Sequence, residues 1–175
     1  MDKLFYYSRS ADKPVGKGAN EVAHIPKDYQ ELNKIKDWRR VLSNFHKCLF
    51  RYEGRTYLTI EHAFQAAKIA IVDAEKAALF SIESGSELSK GGGEMARKNR
   101  KMLVLNSEQL SKWNKQSGDI MLEITIAKIK VCTILWDVLR LTLNAELWHI
   151  RPRQTPIRSF HLEKIRKNIQ VEEGV

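Results

Sequence analysis

The chain of 175 residues has little cysteine or proline and no long apolar run. Its two cysteines, Cys48 and Cys132, lie far apart and form no Cys-x-x-Cys pair, which excludes a zinc ribbon and a dithiol redox motif. Because no run of about 18 apolar residues occurs, we expect no membrane span. The first residues contain no apolar segment of the secretory type, so we expect an intracellular protein, cytoplasmic or nuclear, with reduced thiols.

Positive charge is the unusual part of the composition. The chain has 30 Lys and Arg residues against 21 Asp and Glu residues, a formal net charge of +9 and a sequence pI near 9.6. This excess favours a polyanionic partner such as nucleic acid, a phosphorylated ligand or an anionic surface, although solvated lysines would also account for it. The hydrophobic share of 43% is that of an ordinary globular protein, and the length suits one domain over residues 1–175.

The hydrophobic periodicity predicts a mainly α-helical fold with a small β-hairpin or sheet element. Residues 4–7 have the pattern of a short strand, and residues 45–60 that of a hairpin that turns at Glu53 and Gly54. Residues 148–158 contain two prolines and are predicted as a loop. The predicted helices cover residues 28–38, 60–71, 73–85, 94–101, 107–116, 120–143 and 160–170, with a break at residues 117–119.

The helix after the hairpin carries the strongest chemical signal. At about 100° per residue, Glu61, Gln65 and Lys68 fall on a stripe about 60° wide, while apolar residues occupy most of the remaining circumference. A carboxylate, an amide and an ammonium in such a stripe need partners or a function, so the stripe is either a pocket wall or a narrow solvent-facing strip. His62 falls off the stripe, where a histidine is more often a satisfied core or rim residue.

Several segments together resemble the NADAR family, whose members include the N-glycosidase of riboflavin-biosynthesis intermediates. The most specific part is Ser43-Asn44-Phe45, followed by the hairpin and by Glu61-His62-x-Phe64-Gln65-Ala66-x-Lys68. Judged by residue type alone, Ser43 and Asn44 favour a turn or a capping pair. The weaker matches span the rest of the chain and are Phe5-Tyr6-Tyr7-Ser8, Ala96-Arg97-Lys98-Asn99-Arg100, Trp113 and Leu162-Glu163-x-Ile165-Arg166.

One departure from the family pattern bears on the substrate. The riboflavin-type members carry a Trp-Gly-x-Gly and an Asn-x-Leu-Gly segment before the last helix, where this chain has a different sequence over residues 147–158. This chain also has an extra loop over residues 16–21 and an extra helix over residues 28–38, so it is similar to the branch associated with ADP-ribose chemistry.

The resemblance implies an N-glycosidase that removes ADP-ribose from guanine bases in nucleic acid. Its substrate would contain ADP-ribose, its partner would be ADP-ribosylated DNA, and no cofactor or membrane would be involved. Two alternatives stay open: a glycosidase of riboflavin-pathway ribosylamino intermediates, and a non-catalytic module that binds ADP-ribose or nucleic acid. The oligomeric state is not predicted.

The resemblance implies that Glu61 and Lys68 are the catalytic residues. An N-glycosidic bond breaks through an oxocarbenium-like transition state, which a carboxylate can stabilise. Lys68 could orient Glu61, donate a proton to the leaving base or attack the opened sugar as an amine, and the sequence does not choose among these roles. The same motif supplies the expected substrate contacts Ser43, Asn44, Phe45, His62 and Gln65.

A glycine-containing loop near the amino terminus is a second candidate for substrate binding. Its backbone and Lys17 suit a diphosphate, and its polar side chains suit ribose hydroxyls, but a flexible surface loop would have the same composition. The candidate residues are Lys17, Gly18, Asn20 and Glu21.

Basic and aromatic residues later in the chain are further candidates. Arg97 and Arg100, one turn apart, suit a phosphate or a solvated basic face. Trp113 suits base stacking or the core. No cluster of His, Asp or Cys has metal-ligand spacing, so no metal is expected. Aromatic and guanidinium groups before the last helix suit a nucleotide and are Trp148, His149 and Arg158.

Overall fold

A computed structural model describes residues 1–172 and 174 of the chain. It divides the chain into two compact units. The first unit is discontinuous and combines residues 1–43 with residues 133–175, and the second consists of residues 44–132. Within the described residues, no helix combines the length and the apolar character that a membrane crossing requires.

The predicted fold class is confirmed, because helices form most of the described structure and the strands are few and short. Short 3-10 helices cover Pro26–Tyr29, Ile82–Ser84 and Asn99–Met102. The α-helices are α1 Gln30–Asn33, α2 Trp38–Val41, α3 Ile60–Ile69, α4 Ala74–Ala78, α5 Glu87–Lys90, α6 Gly93–Lys98, α7 Ser107–Ile129, α8 Thr133–Leu141 and α9 Phe160–Glu172.

The strands form one small sheet in each unit and are β1 Lys3–Tyr6, β2 Phe50–Tyr52, β3 Arg55–Tyr57, β4 Glu146–His149 and β5 Ile157–Arg158. In the first unit β4 lies in the centre, parallel to β1 and antiparallel to β5. In the second unit β2 and β3 form the predicted hairpin, whose turn residues Glu53 and Gly54 have φ values of 49° and 77°. Two consecutive positive φ angles are what a tight two-residue hairpin turn requires.

The helix predicted over residues 28–38 is wrong as a single element. The chain forms a 3-10 helix and the short α1, and then begins α2 after Asp37. Asp37 has a φ of 55°, in the left-handed region that interrupts a right-handed helix. Its backbone N–H donates to the Asp12 carboxylate at 3.0 Å. This contact between residues 25 positions apart is not visible in local periodicity.

The break predicted at residues 117–119 is also wrong. Helix α7 runs through it without interruption, and its amino-terminal cap is Asn106 rather than Ser107. Asn106 and Gln109 form a capping box, with the side chain of each accepting the backbone N–H of the other. The continuous apolar stretch predicted over residues 120–143 instead breaks between α7 and α8, around Cys132.

The predicted loop over residues 148–158 contains parts of two strands. Residues Lys3 to Tyr6 of β1 pair in parallel with Glu146 to His149 of β4, and β5 adds a short edge. Leu4 and Leu147, which pair in this register, are both fully buried. Parallel strands that are this distant in sequence have no hairpin turn between them that a sequence pattern could reveal. The two prolines of the segment therefore favoured a loop in the prediction.

Helix α3 lies in the core of the second unit. It packs against α7, α4 and α6 and against the hairpin strand β3. Ile60, Ala63, Ala66 and Ile69 of α3 bury almost all of their surface, as do Phe80 and Ile124 on the neighbouring elements. Helix α3 ends at Ile69, two residues earlier than predicted. This packing holds the first two turns of α3, where the polar stripe begins, in a fixed place.

We predict that Gly118→Ala stabilises the protein by about 1 kcal/mol, because Gly118 lies inside α7 and alanine loses less backbone entropy there. A Cβ atom at Gly118 would meet nothing within 4 Å, so no steric cost opposes the gain. Urea unfolding of both proteins measures the difference. A lower free energy of unfolding for the variant would contradict the continuous helix.

Candidate functional site

The second unit presents Glu61 on the first turn of a firmly capped helix. Thr59 caps α3 by accepting the backbone N–H of His62 at 3.2 Å. The Glu61 N–H donates to the carbonyl of Asn44 at 3.1 Å, which ties the Asn44 segment to the start of α3. The Glu61 side chain is buried, with 8% of the residue exposed. The sequence therefore fixes a carboxyl group inside the unit rather than on its surface.

Gln65 is the direct partner of Glu61. Its Nε2 donates to Glu61 Oε1 at 2.8 Å, one helical turn away. Its own amide oxygen is buried and lacks a hydrogen-bond partner among the described residues. A buried acceptor without a donor is costly, and such groups mark sites where a ligand or ordered water completes the bonding. The Glu61–Gln65 pair thus offers a carboxyl group and an open acceptor side by side.

Burial raises the pKa of the Glu61 carboxyl above its usual range. The hydrogen bond from Gln65 and the positive charges of Arg97 and Arg100 partly oppose this shift. A carboxyl group whose pKa is moved towards neutrality can exchange a proton more readily at physiological pH. The two arginines therefore act on the carboxyl from α6 and the 3-10 helix that follows it.

The predicted phosphate residues Arg97 and Arg100 are at least partly accessible to solvent. Arg100 Nη1 donates to the carbonyl of Arg97 at 2.9 Å, which orients one guanidinium group. Helix α6 approaches closely at Gly93, where a Cβ atom would lie 2.6 Å from the Phe45 ring and 2.9 Å from its Cα. Glycine is needed there because any larger residue would displace Phe45, next to Asn44.

The remaining residues of the predicted motif have different surroundings. Lys68 is half-buried on α3, two turns after Glu61, and its catalytic role stays a prediction. The Asn44 amide donates to Met121 Sδ at 3.8 Å, and Ser43 is buried at the end of the preceding segment in the first unit. The structure thus brings together Glu61, Gln65, Asn44, Phe45, Arg97 and Arg100 in the second unit.

His62 forms its polar contacts within the protein, contrary to its predicted contact with substrate. The residue is fully buried, its Nε2 donates to the carbonyl of Leu88 at 2.9 Å, and its Nδ1 lies 2.8 Å from Thr59 Oγ1. Burial lowers the pKa of the His62 ring, which favours its neutral form. Both ring nitrogens are engaged within the protein, so neither is open to a ligand.

Trp113 packs in the core rather than presenting an open face. Its ring lies 4.9 Å from that of Phe64 at an interplanar angle of 56°, and only 5% of the residue is exposed. This packing favours the interpretation of Trp113 as a core residue over its interpretation as a base-stacking residue.

In the first unit, the predicted diphosphate loop is closed around its own glutamate. The fully buried carboxylate of Glu21 accepts the backbone N–H groups of Gly16 at 3.0 Å and Gly18 at 3.1 Å. It also accepts two bonds from Arg39, at 2.8 and 2.7 Å. A Cβ atom at Gly18 would lie 2.5 Å from the Glu21 carboxyl carbon. Glu21 and Gly18 therefore hold the loop together, contrary to their predicted roles in binding substrate.

The exposed side chains of that loop are Lys17 and Asn20. Asn20 has a φ of 64°, which asparagine tolerates better than most residues. Their substrate contacts stay predictions.

The aromatic and basic residues before α9 belong to the sheet of the first unit. The Trp148 ring stacks on Phe5 with centroids 6.1 Å apart, and the His149 ring stacks on Tyr6 at 5.2 Å. Arg158 donates to Glu146 at 2.9 Å and to Glu163 at 3.0 Å, so two carboxylates engage the guanidinium predicted for a nucleotide. The structure gives Arg158 a bridging role between β4, β5 and α9.

Sequence reasoning missed a buried lysine. Lys128 lies in α7 four residues after Ile124, at a position where the helical period calls for an apolar side chain, and it is fully buried. A charged residue at an apolar position of the helical period was the feature from which the buried lysine could have been predicted. No group of three or more His, Cys, Asp or Glu residues in the described part of the chain could hold a metal ion.

Comparison with known proteins supports the fold. No family model and no curated protein sequence matches the chain. Among solved structures, the NMR structure of the E. coli protein YbiA, a NADAR-family protein, matches with a TM-score of 0.60. The match covers 77% of this chain and 80% of YbiA. The chain shares the fold of YbiA. At 20% sequence identity the likeness extends to the NADAR fold alone, and the roles of its side chains depend on the geometry above.

We predict that Glu61→Gln makes the protein about 1 kcal/mol more stable at neutral pH, because it removes a buried charge and keeps the acceptor for Gln65. The pKa of Glu61 is higher in the folded protein than the usual 4.5, so the folded state binds more protons and wild-type stability falls as the pH rises through this window. The advantage of the variant should shrink below pH 4.5. Urea unfolding at neutral and acidic pH measures it, and a difference independent of pH would contradict the assignment.

Proposed function

We propose that the protein is an N-glycosidase that removes ADP-ribose from guanine bases in nucleic acid. The observation that carries the proposal is the buried Glu61–Gln65 pair with the charges of Arg97 and Arg100 directed at it. The NADAR fold supports a glycosidase-like hydrolase, and the positive net charge supports a polyanionic substrate.

Glu61 would act on the anomeric carbon. As the bond to the base breaks, positive charge develops on the sugar, and a carboxylate in a water-poor site stabilises that charge more strongly than it would in bulk water. The same group, with its pKa raised by burial, could take up the proton of an attacking water. Lys68 would serve either as a donor to the leaving base or as an amine nucleophile.

Gln65 and the two arginines would hold the rest of the substrate. The buried amide oxygen of Gln65 suits a ribose hydroxyl, which is a donor of the right kind beside the reacting carbon. The guanidinium groups of Arg97 and Arg100 suit phosphate oxygens, to which arginine donates in a forked geometry. Such contacts would hold the sugar in a fixed orientation against Glu61, which lowers the activation free energy of bond cleavage.

Exposed lysines near the arginines would engage the nucleic-acid backbone. They lie on α6, on the 3-10 helix after it and on the first half of α7. Contacts of this kind release counterions from the nucleic acid, and this release is less favourable at high salt, so binding should fall with ionic strength. The residues are Lys98, Lys101, Lys112 and Lys115.

A small ribosylamino phosphate is a second candidate substrate. The observation in its favour is that Gly16 and Gly18, predicted to bind the diphosphate, already donate to Glu21. The phosphate-binding groups supported by the second unit are then Arg97 and Arg100, which would suit a single phosphate as well as a diphosphate.

We predict that Glu61→Gln lowers kcat for release of ADP-ribose from a modified oligonucleotide by about 100-fold or more, because the variant cannot carry the negative charge or the proton. The matched control is Glu75→Gln, an exposed glutamate on α4, which should retain wild-type activity. Chromatography of released ADP-ribose measures the rate. Equal rates for Glu61→Gln and wild type would contradict the role of Glu61, and exclusive turnover of a ribosylamino phosphate would identify the second substrate.

We also predict that Arg97→Ala and Arg100→Ala raise KM about tenfold or more, because each removes a charged donor to phosphate. Lys98→Ala removes an exposed charge from the same helix and should leave the KM for a small ADP-ribosyl guanosine substrate unchanged. Steady-state kinetics on that substrate separates phosphate binding from nucleic-acid binding. Equal KM values for all three variants would contradict the arginine assignment.

A further inference from the structure

Lys128 is a buried charged residue of the second unit that the proposed glycosidase chemistry leaves unused. Its side chain is fully buried near the end of α7, and its ammonium group donates to the carbonyl of His46. A buried ammonium requires partners that offset its desolvation, and one carbonyl oxygen satisfies one of its three donors. Its other electrostatic neighbours are the two thiols of the chain, Cys48 and Cys132.

The two cysteines, so distant in sequence, are brought together at this lysine. Cys132 lies one turn after Lys128, to whose carbonyl its N–H donates at 2.9 Å, and Cys48 leads into β2, with its N–H bonded to Leu58 at 3.0 Å. The bond from Lys128 to the His46 carbonyl and the bond from the Cys132 N–H to the Lys128 carbonyl bring both cysteines to this lysine. The Cys132 thiol contributes to the raised pKa of Cys48, and neither cysteine is in a disulfide. Cys132 is 2% exposed, whereas Cys48 is partly open to solvent.

The electrostatics of the cluster are those of a poorly solvated site. Burial lowers the pKa of Lys128 to about 8, and it raises the pKa of Cys48 to about 11. Burial and the charge of Lys128 together lower the pKa of His46 to about 4, so the ring is neutral. Because the pKa of Lys128 is lowered to about 8, part of the lysine is neutral at physiological pH and can accept the proton of the Cys48 thiol.

We propose that Cys48 and Cys132 form a reversible oxidation site, in which a hydroperoxide oxidises Cys48 and Cys132 then closes an intramolecular disulfide. The accessible thiol meets the oxidant, and the buried thiol beside it resolves the product. Lys128 positions the pair and serves as the proton donor.

The chemistry balances in two steps. The Cys48 sulfur attacks one oxygen of the peroxide, the O–O bond breaks, and the leaving oxygen takes a proton from Lys128, which the Cys48 thiol replaces. This step gives a sulfenic acid and one molecule of alcohol, or of water when the oxidant is hydrogen peroxide. The Cys132 sulfur then attacks the Cys48 sulfur, the S–O bond breaks, and the hydroxide leaves with the Cys132 proton as water. The two thiols lose two electrons, and the peroxide gains them.

The experiment treats the full reduced chain with hydrogen peroxide, blocks remaining thiols by alkylation and digests it with trypsin without reduction. We expect peptide 48–51 linked to peptide 131–140, with a mass lower by two hydrogens than the sum of the two, in protein that remains monomeric on a non-reducing gel. Recovery of both peptides in the alkylated form, or a link only between two chains, would overturn the proposal.

Matched variants separate the roles of the three residues. In Cys132→Ser the sulfenic acid at Cys48 should persist and be trapped by a dimedone probe, whereas Cys48→Ser should leave Cys132 reduced. Lys128→Met should slow formation of the disulfide about tenfold or more while keeping both thiols. Circular dichroism confirms that Lys128→Met is folded, and the two cysteine variants test the disulfide independently of it. Disulfide formation at the wild-type rate in folded Lys128→Met would overturn the role of the lysine.

Discussion

The burial of helix α3 is the constraint on which the candidate site depends. Apolar residues around most of its circumference pack against α4, α6 and α7, so the few polar side chains on the helix have little access to solvent. Glu61 therefore loses hydration when the unit folds, and it recovers only part of that loss from Gln65 and from two arginines. A carboxyl group in this state is a poor contributor to stability and a reactive group, which is the usual relation between stability and function at an enzyme site.

The same constraint explains what could be predicted from the sequence. The narrow polar stripe with Glu61 and Gln65 was visible because helical periodicity is a local property, and the hairpin turn was visible because Glu53 and Gly54 lie between two short apolar runs. The parallel pairing of β1 with β4 could not be seen, because it joins residues about 140 positions apart. The predicted single domain stays a prediction beside the two compact units.

The contacts of charged side chains were the part of the structure that the sequence predicted least well. Arg158 and Arg100 are equivalent as letters in a basic segment, yet Arg158 is engaged by two carboxylates and Arg100 directs its charge at a buried glutamate. Likewise Glu21 was predicted to bind substrate because it lies in a glycine loop, but its carboxylate accepts hydrogen bonds from Arg39 and from the backbone of that loop. Which group a charged side chain contacts depends on what lies near it in the folded protein, and composition and sequence spacing do not determine that.

The positive net charge consequently has several origins. Arg39 and Lys128 are buried, and Arg166 is buried with a bond to Thr142, so these three residues add to the net charge without presenting it to a ligand. Burial lowers the pKa values of Lys128 and Arg166, because their charged forms lose hydration in the folded protein. The charge that can meet a polyanion is thus smaller than +9 and concentrated on exposed side chains, including Arg97, Lys98, Lys112 and Lys115. A charged partner would be recognised by this local arrangement, because surface charges more than about 8 Å apart are largely screened at physiological salt.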